Sequence, residues 1–310
     1  MGITIDGLGL GWLPDHPDYR DHHTTLGKAP AGETRDVPAL LATLGLDQPA
    51  TGLPASADLR AGFSPIENQG KLGSCTAHAG VGLLEYFEKT ASGNHVDASR
   101  LFLYKATRNL MQQDGDTGAF IRTAMQAMVT FGVPPEQYWP YDIAAFDTEP
   151  TAFCYSFGQN YKAVQYYRLD PADVTDPAEL LARIKTSLAG KVPAMFGFTV
   201  YSSYSDASKT GAFPFPTPQD HRVGGHAIIA CGYDDAKRIT GTGPTAIETT
   251  GALLIRNSWG TDWGDQGYGW LPYDYVTKGL AKDWWSLLKS DWVDAGVFGL
   301  KGLSSEKDGR

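Results

Sequence analysis

The stretch QGKLGSC, Gln69 to Cys75, runs straight into CTAHAGVGLLEYFEKT, an apolar segment with helical spacing. The chain has 310 residues and three cysteines, so a thiol at the first turn of a buried helix raises the question of its chemistry. Free backbone N–H groups and the helix macrodipole favour an anion there, and a thiolate is stabilised in that setting. Gly70 and Gly73 let the backbone turn tightly and give a substrate carbonyl close access. The Gln69 side-chain amide and the Cys75 backbone N–H can converge on one point, which is what an oxyanion hole requires. Such a nucleophile still needs a base.

Seven histidines compete for that role. His16, His22 and His23 lie in a Pro-, Gly- and Asp-rich N-terminal stretch, His95 follows a turn-like SGN, and His78 sits one turn along the helix of Cys75. His221 follows a Pro-rich loop and reads as a rim residue. His226 follows Gly224 and Gly225 and enters the apolar run AIIACGY, which would hold its ring rigidly. On these grounds alone His226 is as compatible with a satisfied core histidine as with a base. The segment LLIRNSWGTDWGDQGYGW adds Asn257 at a strand end, followed by Trp259 and Trp263 among glycines. An Asn amide oxygen can accept the second imidazole N–H and fix the ring, as the orienting member of a triad does. Indoles over that contact would exclude water and strengthen it.

Taken together, PASADLR (Pro54 to Arg60), ENQGKLGSCTA, GGHAIIACGYDD and RNSWGTDWGDQGYG resemble the papain-like cysteine proteases, with Gln, Cys, His and Asn in that family's order. WPYD (Trp139 to Asp142) and DTGAFIR also resemble it. The resemblance covers roughly residues 53 to 275. It implies an α+β, two-lobe fold, with a helical lobe, a β-barrel-like lobe and the active-site cleft between them. It implies Cys75 as nucleophile, His226 as acid/base, Asn257 as its orienter, Gln69 in the oxyanion hole and Trp259 over the Asn–His contact. The resting pair would be thiolate and imidazolium. Ala119, Gly197 and Gly225 fall near the family's side-chain pocket, and their small size suggests a roomy one. Leu72 stands where many members have a disulfide cysteine, Thr76 where an aromatic residue is usual, and the long helical propeptide is replaced by an arm of about fifty residues. These departures suit a bacterial branch of the xylellain type. No cofactor or metal is implied.

Composition sets outer bounds. At 42% hydrophobic and 20% charged, the chain can bury a large core. A net charge of −9 argues against nucleic acid or an anionic membrane as partner, and no apolar run approaches the ~20 residues that span a bilayer. The opening MGITIDGLGLGWLPDHPDYR shows no secretory signal and no myristoylation signal, so localisation stays open between the cytoplasm and export without a cleaved signal. Cys75, Cys154 and Cys231 are too far apart for a CxxC site; Cys154 and Cys231 read as small buried hydrophobes, and all three as reduced. DHPDYRDHH could offer metal ligands but reads more simply as a solvated or docking segment.

The chain divides into an arm (1–52), a mainly helical lobe (53–150), a mainly β lobe (151–275) and a C-terminal extension (276–310). The arm contains a short helix from Pro38 to Leu44 and an extended part where Trp12 and Leu13 could anchor in the cleft and restrain the enzyme; its charged PDYRDHH is expected to stay on the surface. The function expected is peptide hydrolysis through a thioester by a monomer, with peptide or protein substrates and its own arm as partners. The alternatives are a catalytically silent peptide-binding homologue and a Cys–His amidase or transglutaminase.

Overall fold

The computed structural model describes residues 2–18, 21, 37–161 and 165–300. The chain opens with a hairpin, β1 (Ile3–Ile5) against β2 (Leu8–Leu10), and then β3 (Trp12–Leu13). Helix α1 (Val37–Leu44) stops at Gly45, whose φ of 70° lies in the left-handed region. Its Val37, Leu40, Leu41 and Leu44 are buried, so the last part of the arm contributes to the core. Strand β4 (Ser56–Asp58) then leads into the helical lobe.

Helix α2 (Cys75–Ser92) is buried on every side from Cys75 to Phe87. Its glycines explain how neighbours reach it. A Cβ on Gly80 would come within 3.2 Å of the Met128 side chain, and one on Gly82 within 2.9 Å of Ile229. Ser74 holds the N-cap position, but its side chain does not cap; the hydroxyl bonds the Tyr141 hydroxyl at 2.7 Å instead. Helix α3 (Arg100–Leu110) is capped by Ser99, whose side chain accepts from the Phe102 N–H. Ala119 and Phe120 would continue the apolar spacing of the next helix backwards, yet they form β5 (Ala119–Phe120), and α4 (Ile121–Thr130) begins after them. The cause is a partner: β3 pairs with β5 in parallel, Trp12 opposite Ala119. Helix α5 (Ala152–Gly158) closes the lobe.

The second half is one antiparallel sheet. Its strands are β6 (Gln165–Arg168), β7 (Ala194–Tyr201), β8 (Arg222–Thr240), β9 (Glu248–Arg256), β10 (Tyr268–Pro272) and β11 (Ala281–Leu288), ordered β10-β9-β8-β7-β11-β6, with β4 added against β8. Between β6 and β7 runs α6 (Pro177–Ala189), capped by the Asp176 side chain. Gly190 is its C-cap, with φ −77° and its N–H donating to the Thr186 carbonyl at 3.0 Å, and Lys191 after it takes the left-handed conformation, at φ 61°. The sequence division at 275 is not a structural boundary. β11 comes from the stretch read as an extension and pairs with both β7 and β6, because Trp284, Trp285, Leu287 and Leu288 are apolar enough to be buried in the sheet. Helix α2 lies against β8 and carries Cys75 to the seam between lobes. No helix among the described residues is long and apolar enough to cross a membrane.

Candidate active site

Cys75 is delivered by the N-terminus of α2 and His226 by β8, and both are fully buried. The Cys75 sulfur accepts from the Ala227 backbone N–H at 3.4 Å, one residue beyond His226. His226 Nε2 lies 2.8 Å from Asn257 Oδ1. That oxygen also accepts from the Ser258 N–H at 2.8 Å, so it is the carbonyl side of the amide and Nε2 must be the donor. Nδ1 is then the bare nitrogen, and among the described residues it has no hydrogen-bond partner. Trp259 stacks on the imidazole with centroids 4.4 Å apart and planes 18° from parallel, and Trp263 meets Trp259 edge-on. The indole therefore covers the ring itself as well as its contact with Asn257.

Gln69 is locked in place. Its Oε1 accepts from the Ser258 hydroxyl at 2.6 Å, and its backbone N–H donates to the Ser258 carbonyl at 2.9 Å. This leaves Nε2 as the outward donor. One of its bonds goes to the Leu72 carbonyl at 2.8 Å, and the other to the Gly9 carbonyl of the arm at 3.0 Å. Trp259 Nε1 also donates to that oxygen, at 3.4 Å. His78, one turn along α2, is buried against Ser74 and Tyr141, and burial depresses its pKa to about 3. His221 is exposed. All three cysteines are free thiols, with Cys154 and Cys231 buried.

The arm lies in the cleft. The Gly9 N–H donates to the Gly70 carbonyl at 2.8 Å, and the Gly11 carbonyl accepts from the Ala119 N–H at 2.8 Å. A Cβ at Gly9 would fall 2.1 Å from the Leu72 oxygen, and one at Gly11 would fall 1.9 Å from the Gly73 oxygen, so only glycine fits this close to the loop before Cys75. Trp12 lies against the three small residues expected near a pocket. Ala119 is its partner across the β3–β5 bridge, and a Cβ on Gly197 or Gly225 would collide with its ring. Ala119, Gly197 and Gly225 are thus brought together around one indole.

At the inner end of that indole is a group the sequence reading missed. Trp12 Nε1 donates to Asp283 Oδ2 at 3.1 Å, and Asp283 is fully buried. Arg168 pairs with the other oxygen, Oδ1, at 3.2 Å. Farther along the arm, Asp21 and Asp15 both pair with Arg122, the Asp21 contact at 2.8 Å. The charged stretch is therefore not only a solvated segment, and Asp21 is itself nearly buried; Tyr19, Arg20, His22 and His23 lie outside the described residues. The only sequence signal for Asp283 was a single carboxylate beside two tryptophans in an apolar run.

Burial governs the electrostatics. It pushes the Cys75 thiol up to about 11, against the smaller opposing effect of the Ala227 and Gly11 N–H groups. It also depresses His226 to about 4, opposed by the Asn257 contact. With the arm seated, burial favours the neutral thiol and the neutral imidazole, whereas the resemblance implies an ion pair. The physical reason is that both groups are fully buried, which disfavours either charge.

A helical lobe and an antiparallel sheet meeting at a buried cysteine and histidine make up the papain-like, two-lobe architecture. The chain belongs to the papain family: the model described as "Papain family cysteine protease" matches residues 53–284. It is 35% identical over 223 residues to an uncharacterized peptidase C1-like protein of Acanthamoeba polyphaga mimivirus, covering 70% of this chain and 68% of that one. Chymopapain of Carica papaya is 29% identical over 225 residues, covering 70% of this chain and 54% of its own. The chain thus spans about half to two thirds of the length of these curated relatives. Among solved structures, xylellain, a cysteine protease from Xylella fastidiosa, matches with a TM-score of 0.68 at 30% identity, over 91% of this chain and 96% of xylellain.

Proposed function

We propose that the protein is a cysteine peptidase working through Cys75, His226 and Asn257, and that residues 2–18 hold it closed. The observation that carries the reading is the His226–Asn257 bond of 2.8 Å, because it leaves Nδ1 bare and able to take the Cys75 proton. Once the cleft opens to water and substrate, the thiolate attacks a peptide carbonyl carbon, and the oxyanion is held by Gln69 Nε2 and the Cys75 N–H. His226, now protonated, gives its proton to the leaving amine as the C–N bond breaks. Water, deprotonated by His226, then attacks the thioester and restores the thiol.

The arm imitates part of this complex without its reactive contact. The Gly9 carbonyl takes the Gln69 donor that a substrate oxygen would need. The same stretch is tied down on both sides, by the Gly9 N–H on the Gly70 carbonyl and the Gly11 carbonyl on the Ala119 N–H. This supports an arm that blocks the enzyme. An epoxide-type thiol alkylator tests the assignment by mass spectrometry. Label on Cys75 alone, with loss of peptide hydrolysis, is expected; label mainly on Cys154 or Cys231 would refute it.

A further inference from the structure

The pocket that holds Trp12 has an unusual floor. Its walls are backbone at Gly197 and Gly225, which suits a flat ring. Its floor is the fully buried carboxylate of Asp283, in left-handed backbone at φ 64°. Both oxygens have fixed tasks. Oδ1 accepts from Trp285 Nε1 at 2.7 Å and faces Arg168 Nη1 at 3.2 Å, while Oδ2 points at the indole N–H. Trp285 and Arg168 hold the carboxylate from the Oδ1 side, and its main chain is anchored by the Asp283 and Trp284 N–H groups on Asp170 at 2.8 and 2.9 Å. When the arm leaves, Oδ2 loses the hydrogen bond from Trp12. An apolar side chain entering the pocket would leave that acceptor unmade, whereas an N–H at the far edge of a flat ring would satisfy it. Arg168 already sits beside the carboxylate and offsets its charge, so the vacancy calls for a neutral donor more than for a second cation.

We infer that, in the open enzyme, the Trp12 pocket selects a substrate residue with a neutral N–H at the end of a flat ring, tryptophan above all, and that Asp283 is the specificity-determining residue. The inference rests on the peptidase reading. The arm would then hold the cleft with the side chain that the pocket recognises best.

The test uses the full-length chain carrying Trp12→Ala, which frees the pocket. It is given peptides identical except for tryptophan, 3-benzothienylalanine (the same shape with sulfur for N–H), phenylalanine, leucine or arginine at the residue whose identity most affects cleavage. Any fraction of enzyme still closed scales all rates alike, so it cancels from ratios of kcat/KM. Tryptophan should exceed benzothienylalanine by at least ~10-fold, as expected for a buried charged acceptor left unpaired. In Asp283→Asn, Trp285 and Arg168 would hold the amide oxygen on their side and turn the NH2 into the pocket. The tryptophan-to-benzothienylalanine ratio should then fall towards one, a change that general damage to the fold would not produce. Equal rates for the two in the Trp12→Ala protein, or arginine above tryptophan, would overturn the inference while leaving the peptidase reading intact. No hydrolysis of any peptide would overturn both.

Discussion

Two sides of one cleft are built on opposite principles. On the Cys75 side, a thiol and an imidazole are buried with no formal charge bonded to either, and burial favours the neutral form of each. On the Asp283 side, a few ångströms of indole away, Arg168 and Arg122 are interleaved with Asp15, Asp21, Asp170 and Asp283. The arm touches both sides, with Gly9 and Gly11 on the first and Trp12, Asp15 and Asp21 on the second. The contrast suggests a division of labour: backbone contacts silence the chemistry, and an aromatic anchor with ion pairs supplies the holding energy. Glycines could not anchor the arm, having no side chain to bury, and an ion pair next to the thiol would perturb the protonation that catalysis needs.

The largest effects should come from the first side. Cys75→Ala and His226→Ala should each lower kcat/KM for peptides by roughly 10⁴-fold or more while leaving a folded protein, since each removes a group that exchanges atoms with substrate. His221→Ala, at an exposed position, should leave the rate unchanged; a loss equal to that of His226→Ala would show His226 to be the wrong choice of base. Asn257→Ala removes orientation only and should cost on the order of 10²-fold. On the second side the sign reverses. Trp12→Ala in the full chain should raise peptide hydrolysis, because losing a buried tryptophan weakens arm docking by about 3 kcal/mol, or on the order of 10²-fold. It should also speed alkylation of Cys75 at neutral pH, as water returns to the thiol. An unchanged rate in both assays would sink the inhibitory role. A point variant separates the roles better than truncation at Leu53, which would also remove the buried leucines of α1.

The two sides also differ in how far they could be read in advance. Under the proposed peptidase reading, Gln69, Cys75, His226 and Asn257 serve chemistry that tolerates few residue types, so each carried a local signature, and Trp12 stood out as a large apolar residue after Gly9 and Gly11 and before Pro14. Asp283 carried only a lone carboxylate beside two tryptophans and Arg168 carried nothing, because their meaning comes from sheet register. Trp285 pairs with Arg168 across β11 and β6, and Lys282 with Gly197 across β11 and β7. Only that register puts residues more than a hundred positions apart at one pocket floor. For the same reason β5 looked like the start of α4: its pairing partner lies in the arm. The α2 helix was legible almost to its ends because its burial is written in its own composition. The Ser74 cap was not, because Tyr141 competes for the hydroxyl.

A smaller effect belongs to the ion pairs. Asp15→Asn with Asp21→Asn removes the arm's two carboxylates from Arg122 and should raise activity by roughly 10-fold. The wild-type arm should loosen with added salt more than the doubly substituted one, since only the former relies on charge. Equal salt responses would assign the holding energy to Trp12 alone.

The smallest effect is on the folding equilibrium, and its sign separates burial from ion pairing at Asp283. Burial raises this carboxyl from 3.8 to about 6, outweighing Arg168 and the two indole N–H groups. Folding therefore favours the protonated form. That contribution is complete below the ordinary carboxylate value and is lost as pH rises through about 6. Asp283→Asn has no such proton, while the other charged groups around the pocket are present in both proteins and largely cancel from the comparison. The Tm of the wild type relative to Asp283→Asn should thus decline between pH 4 and pH 7, by roughly 2–6 °C. If the wild type instead gains on the variant over that interval, Arg168 outweighs burial and the pocket floor is a committed carboxylate at every working pH. The indole would then be bound by a full charge below about pH 6 as well, and the preference for tryptophan over its sulfur isostere should hold without change from neutral pH down to about pH 4.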